Sequence, residues 1–106
     1  MARTLIQVPA TARRGEALQV RVTIAHPMET GYRPGADGRV LPRDILRRFA
    51  CRYNGEVVFS AELAPAIAAN PYLAFHVLAD ASGTLEFEWQ GDQGFSQVER
   101  RNLQVT

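Results

Sequence analysis

Hydrophobic and polar residues take turns along most of this chain. Between Ala17 and Ala25, Leu18, Val20, Val22 and Ile24 occupy every second position, with Gln19, Arg21 and Thr23 between them. That is the period of a β-strand with one buried and one wetted face. The period returns in "DILRRFACRY", where Phe49, Cys51 and Tyr53 oppose Arg48, Ala50 and Arg52. After Asn54-Gly55, a dipeptide suited to a tight hairpin, "EVVFSAEL" sets Val57, Phe59, Ala61 and Leu63 inward. "YLAFHVLA" places Leu73, Phe75 and Val77 on the core side and Tyr72, Ala74 and His76 on the other. "TLEFEWQ" does the same with Leu85, Phe87 and Trp89 against Glu86 and Glu88. "TLIQVP" supplies a short first strand and "FSQVERRNLQV" a last one.

Two segments break the period. "HPMETGYRPGADGRVLP", residues 26–42, holds three Gly and three Pro and reads as a long shaped loop. "APAIAANP", residues 64–71, reads as a crossing segment with room for one helical turn. About seven short strands separated by turn signals, with almost no helical period, predict an all-β protein, an immunoglobulin-like antiparallel β-sandwich. A chain of 106 residues supports one core, so residues 1–106 form a single domain.

Charge adds a second layer to this picture. Net charge is only +1, which disfavours a general nucleic-acid or membrane-surface binder. Residues 1–52 hold ten arginines against four acids, whereas residues 53–106 hold seven acids against Arg100 and Arg101. Either the strands of the two halves interleave and this dipole cancels, or the dipole orients a partner. All 12 basic residues are Arg. The first 20 residues show no long apolar run and no small-residue cleavage site, so the chain is expected to stay in the cytoplasm or to be carried out by something else.

Candidate chemistry is sparse. One Cys, two His and an internal Met make the ligand set of a blue-copper site, but Cys51 and His76 lie 25 positions apart on different strands rather than in one loop. His26, Met28 and Glu29 are too few for zinc, and Pro27 fixes the backbone between them. Cys51, on the core face between Phe49 and Tyr53, reads as a small hydrophobe with a raised pKa. No nucleophile elbow, phosphate loop or paired catalytic carboxylate occurs, and Glu86 and Glu88 read as solvated strand residues. Arg33, Arg39, Arg43, Arg47, Arg48 and Arg52 are open to an oxyanion, an acidic partner or plain solvation.

"HPMETGYRPGADGRVLP" at 26–42, "YNGEVVFSAEL" at 53–63, "NPYLAF" at 70–75 and the late "FEWQGDQG" together resemble the SoxZ family, the smaller subunits of SoxYZ sulfur carriers. The likeness runs from about Val20 to the C-terminus. Departures are Tyr32 where an aliphatic is usual, the "LAPAIAANP" segment, and Cys51. The resemblance implies an immunoglobulin-like sandwich without catalytic residues, cofactor or metal. It implies a heterodimer with SoxY, whose C-terminal cysteine arm carries thiosulfate-derived groups, and transient contacts with the other enzymes of the pathway. It also implies a periplasmic location reached by export with the signal-bearing partner. On this reading His26, Met28, Glu29, Tyr32, Arg33, Asn70 and Tyr72 shape a partner or docking surface. A stand-alone immunoglobulin-like binding module is the alternative.

Overall fold

The computed structural model describes residues 2–64, 67 and 69–106. They form eight strands: β1 (Thr4–Gln7), β2 (Thr11–Ala12), β3 (Ala17–Ile24), β4 (Leu46–Tyr53), β5 (Glu56–Glu62), β6 (Tyr72–Leu78), β7 (Gly83–Gly91) and β8 (Ser96–Val105). One sheet has the order β1-β3-β6 and the other β2-β8-β7-β4-β5. This is the all-β sandwich expected from the alternation. The helical turn expected in "APAIAANP" falls partly on Pro65, Ala66 and Ala68, outside the described residues.

The core lies between the two sheets. Val20, Ile24, Leu46, Phe49, Cys51, Leu85 and Phe87 are fully excluded from solvent, and Trp89 is nearly so. Phe49 sits at its centre, with ring centroids 5.2 Å from Trp89, 5.9 Å from Phe75 and 6.2 Å from Phe59. Each such ring contributes about 1.5–3 kcal/mol through the apolar area it removes from water. Phe59 of β5 stacks on Phe75 of β6 at 4.3 Å and closes the sandwich along one side.

Three departures from simple alternation have local causes. An eighth strand exists because Pro9 interrupts the chain after β1, and Thr11–Ala12 then joins the opposite sheet in parallel with Gln104–Val105. The sandwich is therefore antiparallel except for this pair. Val57 is 48% exposed rather than inward, because Cys51 pairs with Phe59 and Arg52 with Val57. Val58 is thus an extra, bulged residue that shifts the faces of everything before it. Ala50 points outward yet is buried, its methyl lying in a cleft between the longer Arg48, Arg52 and Glu88.

The interleaving of the two halves removes most of the charge separation. β4 from the basic half lies between β5 and β7 from the acidic half. Arg52 Nη1 sits 2.9 Å from Glu88 Oε1 and 3.4 Å from Glu86 Oε1, and Arg100 Nη2 is 3.0 Å from Glu86 Oε2. Glu86 and Glu88 are accordingly paired across strands, not merely solvated.

Candidate functional site

The segment after β3 turns a sharp corner whose polar groups bond to one another. His26 N–H donates to Asn70 Oδ1 at 2.9 Å, and Asn70 N–H donates back to the His26 carbonyl at 2.8 Å. Beyond Pro27, Met28 takes φ 52, a region that a non-glycine residue enters only when its surroundings hold it there. Its N–H donates to His26 Nδ1 at 3.2 Å, and its Sδ accepts from Leu46 N–H at 3.2 Å. An Nδ1 that accepts carries no proton, which assigns the ring hydrogen to Nε2, 3.6 Å from Asp44 Oδ1. The imidazole also packs edge-on against Phe95 at 5.3 Å and 71°.

From this corner the chain runs out as a narrow arm and returns. Glu29 and Asp44 exchange two backbone hydrogen bonds of 2.8 Å at its base, Leu41 N–H donates to the Arg33 carbonyl at 2.8 Å, and Gly35 N–H to the Arg39 carbonyl at 2.6 Å. Gly31 is required at φ 91, where a Cβ would also stand 3.2 Å from the Cβ of Arg43 on the returning limb. Arg33 pairs with Glu29, and this hydrogen bond holds the Glu29 carboxyl below its ordinary pKa of 4.5. Tyr32 is 88% exposed and Val40 59%.

The structure gathers His26, Met28, Glu29 and Asn70 into the corner and sets Tyr32 and Arg33 on the arm. Tyr72 opens β6, two residues after Asn70. Tyr32, Arg33, Asn70 and Tyr72 are exposed. His26 and Met28 are not: each is 5% exposed, so their side chains shape the corner from beneath and offer no docking surface themselves. Their polar atoms are consumed by the turn, because a backbone that leaves a sheet and takes a positive φ needs local partners for its orphaned N–H groups.

One residue that organises the arm escaped the sequence reading. Asp92, in the turn after Trp89, receives Arg43 Nε at 2.8 Å, Arg47 Nη1 at 3.3 Å and Ile45 N–H at 3.2 Å. Burial pushes its pKa up, but the Ile45 amide and the two guanidiniums outweigh that and hold it below the ordinary value of 3.8. Asp92 thereby ties the returning limb of the arm to the five-stranded sheet. The signal was its place in "QGDQG" facing an arginine run, but alternation says nothing about which arginine meets which acid. Of that run, Arg33, Arg43, Arg47 and Arg52 are all engaged by carboxylates, which leaves little free charge for an oxyanion.

Cys51 is fully buried, and burial pushes its thiol pKa up to about 12 in spite of the nearby Arg52 charge. At neutral pH such a thiol holds almost no thiolate, the nucleophilic form. Among the described residues, no three His, Cys, Asp or Glu side chains stand close enough to hold a metal ion. Among the same described residues, no helix is long and apolar enough to cross a membrane.

A family model described as "Sulphur oxidation protein SoxZ" matches residues 6–102. No curated protein sequence matches the chain. Among solved structures, superoxide reductase (neelaredoxin) from Ignicoccus hospitalis is similar at a TM-score of 0.74 and 18% identity, over 99% of this chain and 82% of that one. The sulfur carrier protein SoxY from Chlorobium limicola f thiosulfatophilum is similar at a TM-score of 0.67 and 17% identity, over 97% of this chain and 78% of that one. At these identities the two structures share the fold and carry nothing further.

Proposed function

The chain belongs to the SoxZ family of sulphur oxidation proteins, and from that premise we propose that it is the non-catalytic scaffold subunit of a SoxYZ sulfur carrier. Its partner is SoxY, whose C-terminal cysteine arm carries the thiosulfate-derived intermediates. The complex works in the periplasm, and this chain reaches it by export together with the signal-bearing partner. The arm between Glu29 and Asp44, with Tyr32 exposed along it, serves as a contact for the pathway enzymes that visit the complex.

The observation that carries this reading is the sealed thiol. A group that exchanges sulfur between enzymes must form a thiolate and must reach their active sites. Cys51 is the chain's one cysteine, lies mid-strand in β4 and has its pKa pushed up to about 12, so it meets neither requirement. A sulphur oxidation protein built this way needs a partner to hold the sulfur. The likeness in fold to SoxY fits two related sandwiches side by side.

Coexpression with the cognate SoxY tests this directly. A stable one-to-one complex by size exclusion with light scattering is expected, burying at least about 1,600 Å². A chain that remains monomeric beside an excess of folded SoxY would turn the reading toward a stand-alone binding module.

A further inference from the structure

Four strands end the two sheets, and they are not equally protected. β1 has four residues and β2 two, too short to invite pairing. β5 has seven, but it carries the bulge at Val58 and a glutamate at each end. β6 has seven residues, "YLAFHVL", with no Pro, no Gly and no Asp, Glu, Lys or Arg, and its register with β3 is unbroken from Tyr72 to Leu78. Bare, uncharged strands of this length are templates for a further strand.

The hydrogen-bond parity shows what that edge presents. Ile24 N–H donates to the Pro71 carbonyl at 3.4 Å and Ala79 N–H to the Glu16 carbonyl at 2.8 Å. These bonds flank the β3–β6 ladder and agree on one parity, by which Leu73, Phe75 and Val77 bond to β3. The N–H and C=O groups of Tyr72, Ala74, His76 and Leu78 therefore face away from it. Tyr72 is 56% exposed and Leu78 63%, and on the neighbouring β5 Val57 and Val58 are 48% and 42% exposed. Val58 and Leu78 line one cleft of about 290 Å³ at this side of the sandwich.

We propose that the free edge of β6 is a strand-pairing site that receives the matching edge strand of the partner subunit, continuing the three-stranded sheet from one subunit into the other. This rests on the pairing with SoxY proposed above. Four outward N–H and four outward C=O groups are satisfied by an extended strand, not by a helix or a patch of side chains. The core-facing Leu73, Phe75 and Val77 and the uncharged outer row ask for a strand that is itself uncharged and apolar, such as the edge of another sandwich rather than a charged tail. The sulfur carrier protein SoxY from Chlorobium limicola f thiosulfatophilum shares the fold over 97% of the chain's length, and on this proposal the strand of SoxY that corresponds to β6 is the occupant.

Amide hydrogen exchange on the isolated chain and on the coexpressed complex tests the site. The amides of Tyr72, Ala74, His76 and Leu78 are expected to exchange quickly in the isolated chain and at least about 100-fold more slowly in the complex. Ala74→Pro removes an outward N–H without touching a bond to β3. It is expected to keep its fold and to lose at least about tenfold in affinity for the partner. If the complex forms but the four amides keep their free rates, the strand-pairing site is wrong while the pairing with SoxY stands; if the wild-type chain binds no SoxY, both fall. Protection of the same amides in the isolated chain that grows with its concentration would give the edge to a second copy and overturn the choice of occupant.

Discussion

The corner at His26 and the edge of β6 meet at Asn70, yet they treat their polar groups in opposite ways. In the corner, His26, Met28, Asn70 and Asp44 hold residue types that elsewhere bind metals or protons, and the His26 Nδ1, the Met28 Sδ and the Asn70 Oδ1 are each spent on a backbone N–H of the same chain. Along β6 the side chains are bland, but four residues turn outward backbone groups that no strand among the described residues pairs. Ligand-type residues clustered in sequence are thus no sign of available chemistry once a strained turn has used them. What remains available for binding is where the fold leaves hydrogen bonds unmade.

The largest effect should come from opening the corner. His26→Ala removes a buried ring from Phe95 and the acceptor for Met28 N–H. It is expected to cost about 3 kcal/mol of unfolding free energy in urea titrations. A loss below about 1 kcal/mol would mean that the corner is not held by its internal bonds, and the contrast would collapse. At the edge, Tyr72→Ala trims an exposed side chain and should change stability by less than about 0.5 kcal/mol while weakening the complex with SoxY. Equal losses in stability from the two variants would erase the distinction between them.

The smallest effect should appear only in acid. The Asp92 pKa is depressed in the folded chain, so the unfolded chain binds that proton more readily. Its contribution is therefore complete above about pH 5 and is lost as pH falls through the ordinary carboxylate range toward the folded value. Asp92→Asn should lower stability at neutral pH and flatten the decline between about pH 5 and pH 2. Glu29, lowered by its exposed pair with Arg33, should add little to this slope. An unchanged acid slope in Asp92→Asn would show that Asp92 does not tie down the arm.

Most of the fold was legible because strand alternation needs only local information. The inward rows of β3, β6 and β7 fall where the period puts them, and the three-Gly, three-Pro stretch became the arm. What escaped was set by contacts distant in sequence. Val57 changed face because of a bulge that depends on the register with β4, and Thr11–Ala12 became a strand only by meeting the end of β8. The corner was recognised as a special place, but the inward turn of His26 and Met28 was not, although the even-position rhythm of β3 runs on through Ile24, His26 and Met28. The free edge left no mark in the sequence: "YLAFHVL" reads the same whether one neighbour pairs with it or two.

Intact-mass measurement of the reconstituted complex during thiosulfate turnover tests the scaffold role most directly. Sulfur adducts are expected on SoxY alone, with this chain at its unmodified mass, and Cys51→Val should leave turnover nearly unchanged at a packing cost of about 1 kcal/mol. Stoichiometric adducts on Cys51, or turnover abolished in a well-folded Cys51→Val chain, would contradict the scaffold role and make this subunit a carrier of sulfur in its own right.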